Sequence, residues 1–128
     1  MNKLVIDVAS EKIFLMIITK DDIYNITKEN TKFNYEKLTL ILKDFLKSKS
    51  LKLQNIQKIY VNRGPGSFAG IRNSLSIVKA FYVTRRIDYY CYSLEDFKDQ
   101  KDIKYEDIPN LCDKFKIKKN LIKAIYLS

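Results

Sequence analysis

The chain has 128 residues, 46% of them hydrophobic and 12% aromatic. That length fits one domain and excludes a two-domain enzyme, and the composition is too apolar for a disordered chain. Its 24 Lys and Arg against 15 Asp and Glu give a formal net charge of +9, and with no histidine the commonest general base near neutral pH is missing.

At the amino terminus, MNKLVIDVASEK has an apolar run of only a few residues and reaches Asp7 within it. This excludes a signal peptide or membrane span there, and the chain reads as cytoplasmic with no membrane partner. LVIDVAS, Leu4 to Ser10, reads as a buried strand, IFLMIIT, Ile13 to Thr19, as a second and DIYNITK, Asp22 to Lys28, as a third. Their short connections imply an antiparallel meander. From Tyr35 the period changes to that of a helix running to about Lys49, with Leu38, Ile41, Leu42, Phe45 and Leu46 in one stripe, Asn34 as N-cap and Glu36 in the first turn.

KIYV, Lys58 to Val61, is a fourth strand and runs into NRGPGSFAG. A second helix follows from Phe68 to about Thr84. Ile71, Leu75, Val78 and Tyr82 line one of its faces, Ile77 and Phe81 widen it, and Ser74, Ser76 and Ala80 keep part of its surface small enough for another helix to approach. IDYYCYS, Ile87 to Ser93, is a fifth strand. Three meandering strands followed by helix, strand, helix and strand predict an α/β domain with a mixed five-stranded sheet, an order that suits an actin-like or ribonuclease H-like fold better than a doubly wound dinucleotide fold. In the tail, SLEDFK reads as a helical turn, Lys98 to Asp107 as a polar loop and Ile108 to Phe115 as a short helix opened by Pro109. Leu121 to Leu127 is either a strand or a helix. Cys91 and Cys112, with no histidine to join them as metal ligands, read as reduced packing residues, and no cofactor or metal set is evident.

All three glycines of the chain fall in the stretch Asn62 to Gly70. Glycine is used where φ must be positive or where something must approach the main chain closely. Gly64, Pro65 and Gly66 form a tight strand-to-helix turn, Ser67 can cap the following helix, and Gly70 removes a side chain within its first turn. A helix N-terminus reached through such a turn admits a phosphate without demanding one. The spacing is neither that of a Walker loop nor GxGxxG. Asp7, with Ser10 after it, stands where an actin-like phosphotransfer protein holds metal-bound phosphates, and it serves equally as a structural acid at a strand end. The lysines are spread over the whole chain, so the charge is either a generally basic surface or, at KFKIKK, Lys114 to Lys119, a patch for a polyanion.

Taken together, LVIDVAS, KIYVNRGPGSFAGIRNSLSIVKAF and YSLEDF resemble the TsaB (YeaZ) family, over roughly Met1 to Phe97. The match rests on Arg63, Gly64, Pro65, Gly66, Ser67, Phe68, Gly70 and Arg72; Ala69 stands for the usual Thr, Ile71 for Leu, Asn62 for a small residue and, in the first motif, Val8 for Thr. The resemblance implies an actin-like (ASKHA) domain at residues 1–97 without catalytic competence of its own. It implies a scaffold for a TsaD-like threonylcarbamoyltransferase, joined by a TsaE-like ATPase, in the modification of adenosine 37 of tRNA. The tRNA would be met through the complex, and a homodimer would form when the partner is absent. The contact residues implied lie on the two helices, at Leu38, Ile41, Leu42, Phe45, Ile71, Ser74, Leu75, Val78, Phe81 and Tyr82, with Asp7 and Ser10 as a vestigial phosphate site. Family members are longer than this chain. LIKAIYLS resembles the sequence with which many finish, so residues 98–128 are expected to be an internally shortened second subdomain packed on the first. The other readings are a small phosphate- or nucleotide-binding enzyme using Gly64 to Ser67 with Asp7, and a basic RNA-binding module.

Overall fold

Leu4, Val5 and Ile6 are all buried, because the strand that carries them is covered on both faces. In the computed structural model, which describes residues 1–124, this strand β1 (Lys3–Asp7) pairs antiparallel with β2 (Lys12–Ile18), and β2 pairs antiparallel with β3 (Ile23–Glu29). On its other side β1 runs parallel to β4 (Lys58–Asn62), and β4 runs parallel to β5 (Asp88–Tyr92), giving the order β3-β2-β1-β4-β5. The antiparallel pairs are joined by short turns, whereas each parallel pair needs a crossover, and the crossovers are helical. The mixed five-stranded α/β sheet expected from the sequence is what forms.

Leu4, Ile6, Ile13, Leu15, Ile17, Ile59 and Val61 point to the face covered by α1 (Lys32–Tyr35), α2 (Leu38–Ser48) and α3 (Phe68–Arg85). The other face presents Val5, Met16, Tyr60 and Tyr92 to a smaller cluster, where Phe97 and, from α4 (Ile108–Lys114), Ile108, Leu111 and Cys112 close over them. The tail beyond Phe97 therefore supplies the cover for half the sheet. β3, at the edge, alternates half-buried Tyr24 and Ile26 with exposed Ile23, Asn25 and Thr27. Among the described residues no helix is long and apolar enough to cross a membrane.

The helix expected at Tyr35–Lys49 is two helices. Thr31, not Asn34, caps the first, its Oγ1 accepting from the Asn34 N–H at 3.3 Å, while the Asn34 side-chain amide reaches back to the Glu29 carbonyl at 2.9 Å. Lys37, at φ −105° and ψ 19°, then interrupts the helical path before α2. α3 ends as expected near Thr84, with Arg86 in the left-handed region at φ 57° and its N–H on the Tyr82 carbonyl at 3.0 Å. Leu94–Asp96 and Tyr105–Asp107 are single 3₁₀ turns. Of the undecided last element, Leu121 to Ala124 has no regular structure, and the remainder lies outside the described residues.

Both cysteines are free and buried, and they belong to the clusters on opposite faces of the sheet, so no disulfide joins them. Burial pushes the Cys91 thiol up to about 11, against a smaller opposing pull from the Lys123 backbone and Arg63. Burial, with Asp113 and Asp96 nearby, pushes Cys112 up to about 12. Each folded thiol holds its proton more tightly than the ordinary value of 9.0. Their contribution to stability is thus complete below that value and is lost as pH rises toward 11 to 12. At neutral pH both thiols are expected to resist a colorimetric disulfide reagent in buffer and to react in full in denaturing urea; rapid reaction of the native protein would contradict their burial.

Candidate functional site

β4 delivers Asn62 and Arg63 to the carboxyl ends of the parallel strands, where the Arg63 N–H bonds the Tyr92 carbonyl at 2.7 Å. Gly64 takes φ 108°, and its N–H is held by Asn62 Oδ1 at 2.8 Å. The Gly64–Pro65 peptide is cis. Ser67 caps α3, its Oγ accepting from the Gly70 N–H at 3.3 Å, and its own N–H donates to the Ala9 carbonyl at 2.8 Å. A Cβ on Gly66 would stand 2.1 Å from that same Ala9 oxygen, and one on Gly70 would stand 2.1 Å from the Val8 oxygen and 3.1 Å from Asn30 Nδ2. What presses close to these two glycines is the chain's own backbone beyond β1. Of the three glycines only Gly64 has positive φ, so Gly66 is needed for space rather than for its dihedral freedom.

Asp7 lies beside this turn, 6% exposed. Its Oδ1 accepts from the Ala9 N–H at 3.0 Å, and its Oδ2 from Asn62 Nδ2 at 3.1 Å and from the Tyr105 hydroxyl at 2.8 Å. Tyr105 is stacked on Phe14, ring centroids 3.8 Å apart, so its hydroxyl arrives pre-positioned. Burial first, and the Asp7 charge second, push the Tyr105 and Tyr92 hydroxyls upward, which keeps both protonated. Among the described residues the buried Tyr92 hydroxyl has no hydrogen-bond partner, and Tyr92 lines a cavity of about 150 Å³ together with Asp7, Tyr105 and Lys104. Ser10 is exposed, and its carbonyl accepts from Asn30 Nδ2 at 2.7 Å.

A phosphate entering beside Asp7 would meet a carboxylate whose attractive contacts are already made, and a glycine turn occupied by the backbone of Val8 and Ala9. Among the described residues no three His, Cys, Asp or Glu side chains are grouped to hold a metal ion. The geometry gives Asp7 a structural task, joining the end of β1 to β4 and to the tail.

Arg63 has a similar task. Its Nη2 lies 2.7 Å from Asp96 Oδ1 and its Nε 3.4 Å from Oδ2, while Asp96 Oδ2 also caps the Ser93 N–H at 2.8 Å. The motif arginine thus clamps the YSLEDF segment onto the end of β4. Arg72 is exposed, and Phe68, on the first turn of α3, is 51% exposed. Asn30 and Tyr105 are the residues of this region that the sequence pattern did not single out, whereas Asn62 and Asp96 lay inside the marked segments NRGPGSFAG and YSLEDF.

Most of the contact residues implied on the two helices are taken up by the chain's own core. Leu38, Leu42, Phe45, Ile71, Ser74, Leu75, Val78 and Phe81 are all buried in the core between helices and sheet, and Ile41 and Tyr82 are half-buried against it. An apolar helical stripe first covers its own sheet. The outward face of α3 is instead Ala69, Arg72, Asn73, Ser76, Ala80 and Val83, exposed or half-exposed and one turn apart. Within KFKIKK, Phe115 and Ile117 pack inward, the four lysines are exposed, and Lys119 pairs with Asp88 at 3.5 Å.

The sheet order, its helical crossovers and the glycine turn define a mixed α/β fold, a five-stranded sheet with packing helices. No protein-family model and no curated protein matches the sequence. Among solved structures, the chain is similar to YeaZ from Pseudomonas aeruginosa, at 18% identity and a TM-score of 0.66, covering 72% of this chain and 43% of that one. It is also similar to a structure described as an uncharacterized protein with similarity to peptidase YeaZ from Pseudomonas aeruginosa, at 17% identity and a TM-score of 0.67, covering 77% and 49%. The chain spans less than half the length of either, and what it shares with them at this identity is the fold.

Gly66→Ala is expected to lower unfolding stability by about 1–3 kcal/mol or more, because a main-chain oxygen stands where the methyl must go. Urea denaturation measures this, and an unchanged midpoint would refute the tight contact with Ala9. Tyr105→Phe keeps the ring stack but removes one bond to a buried carboxylate. A loss of about 1.5–3 kcal/mol by the same measurement is expected.

Proposed function

We propose that this chain is a non-catalytic scaffold subunit that pairs with a TsaD-like threonylcarbamoyltransferase in the modification of adenosine 37 of tRNA. The observation that carries the reading is the turn from Arg63 to Gly70, whose residues match the TsaB pattern and which, in a fold like that of YeaZ, spends its glycines on backbone packing rather than on a ligand. A turn built this way fixes the angle at which α3 leaves the sheet, which is a scaffold's task. The saturated Asp7 carboxylate speaks against the phosphate-binding enzyme.

The partner surface in this reading is the outward face of α3. Ala69, Ser76 and Ala80 recur along it without long side chains, so a helix of the partner can approach the α3 backbone closely, and Val83 and half-buried Ile41 add apolar area. A TsaE-like ATPase would join the pair, tRNA would be bound by the assembly, and a second copy of the chain would occupy the same face when the enzyme is absent.

Size-exclusion chromatography with light scattering, on the chain alone and mixed with the TsaD-like protein of the same organism, tests the proposal. A new species at the mass of a heteromer is expected. Ser76→Glu and Ala80→Glu should remove it while circular dichroism and thermal melting stay as in the parent, since both positions are exposed. Leu75→Asp and Phe81→Asp should instead unfold the chain by burying a charge in the core. Absence of any heteromer with both proteins folded, or normal binding by both glutamate variants, would overturn the reading or its surface respectively.

A further inference from the structure

The parallel strands and their crossovers give the domain two distinct ends. Asp7, the glycine turn and the start of α3 are at the carboxyl ends of β1, β4 and β5. The end of α2, the 3₁₀ turn at Leu53–Asn55 and the end of α3 are at the opposite one, where β4 and β5 begin. That second end carries a cavity of about 460 Å³, within the range of ligand-binding clefts and the largest of those described.

Its chemistry is divided by depth. Leu46 and Leu53 are buried and Leu51 is half-buried, so the floor is aliphatic and continuous with the core. The rim is formed by exposed Lys43, Lys47, Lys52 and Arg85, and no carboxylate lines the cavity. Among the described residues none of these four cations is in an ion pair. Lys47 and Arg85 stand in the last turns of α2 and α3, where cations suit the helix dipoles. Lys43, in the middle of α2, and Lys52, after it, stand in no last helical turn. A second hollow of about 350 Å³ shares Gln54 and Arg85 with the first and repeats the pattern, with Ile56 and Ile87 below and Arg86 at the edge.

We propose that these two hollows form a docking groove for an acidic peptide segment of a partner protein, one whose apolar side chains sit on the leucine floor while its carboxylates meet the lysine and arginine rim. An extended occupant is required because the apolar-below, cationic-above pattern continues from one hollow into the next. A protein segment is favoured over a nucleic acid because the floor is aliphatic. Single-stranded nucleic acids take their sequence-tolerant affinity from stacking on aromatic rings, and no Phe, Tyr or Trp lines either hollow. The groove shares no lining residue with the outward face of α3.

The test is selection from a displayed library of random short peptides on the immobilised full chain, followed by fluorescence anisotropy with the selected peptide. The expected sequences combine Asp or Glu with large apolar residues. Lys43→Glu with Lys52→Glu should weaken their binding by about tenfold or more, with the circular dichroism spectrum unchanged, as both residues are exposed and neither is in a last helical turn. Replacing the apolar residues of the peptide by Ser should weaken it as well. Peptides without acidic residues, selection that yields nothing, or affinity indifferent to the double variant would each overturn the proposal. A single-stranded oligonucleotide that binds more tightly than any peptide and depends on Lys43 and Lys52 would overturn it in favour of a nucleic-acid surface.

Discussion

The contact on which the rest of the molecule depends is the one between the glycine turn and the end of β1. Two main-chain oxygens, those of Val8 and Ala9, lie where side chains on Gly70 and Gly66 would be, and the Ser67 N–H donates to the Ala9 oxygen at 2.8 Å. β1 and β4 are parallel neighbours, so their carboxyl ends emerge side by side. The chain leaving β4 must turn at once into α3 and lay that helix back across the sheet. It can do so at this distance only if the first turn of the helix has no side chains toward β1. The position of α3 then decides which of its residues are core and which are surface, and so where any partner can be met.

Three polar clamps hold the same corner. Asp7 gathers Ala9, Asn62 and Tyr105; Arg63 holds Asp96; Asn30 spans the Val8 and Ser10 carbonyls at 3.0 and 2.7 Å. Two of them tie in the tail, which covers the second face of the sheet. A carboxylate buried at 6% exposure would be costly alone, and three donors compensate its lost hydration. The acid that suggests phosphate chemistry in the sequence is therefore also the acid whose removal would leave Tyr105 and Asn62 without their partner.

Much of this was legible in the sequence, for identifiable reasons. β1, β2 and β4 read as unbroken apolar runs because both of their faces are covered, and glycine clustering marked the turn before its geometry was known. The missing parts depended on distant neighbours. Tyr105 reaches Asp7 across 98 positions, and no local pattern announces such a bond. Thr31 rather than Asn34 caps α1 while Asn34 bonds back to Glu29, which needs the end of β3 in place. Which surface the two helices cover was not legible either, because an amphipathic stripe states only that a helix has something to cover. For Leu38, Leu42, Leu75 and Val78 that something is the sheet.

Once the stripe is assigned to the core, the exposed features left over fall at different places and differ in kind. The outward face of α3 is small-residue and nearly uncharged apart from Arg72 and Lys79, suited to close helix packing. The groove at the far end is aliphatic below and cationic above, suited to an acidic chain. A surface charge of one sign steers encounter but does not fix orientation, whereas closely packed backbone does. A net charge of +9 spread over the chain thus matters most where it surrounds buried leucines, because there attraction and apolar burial act on the same ligand. Both features follow from the same constraint: the glycine turn that sets α3 against β1 also sends its last turn, with Arg85, to the rim of that groove.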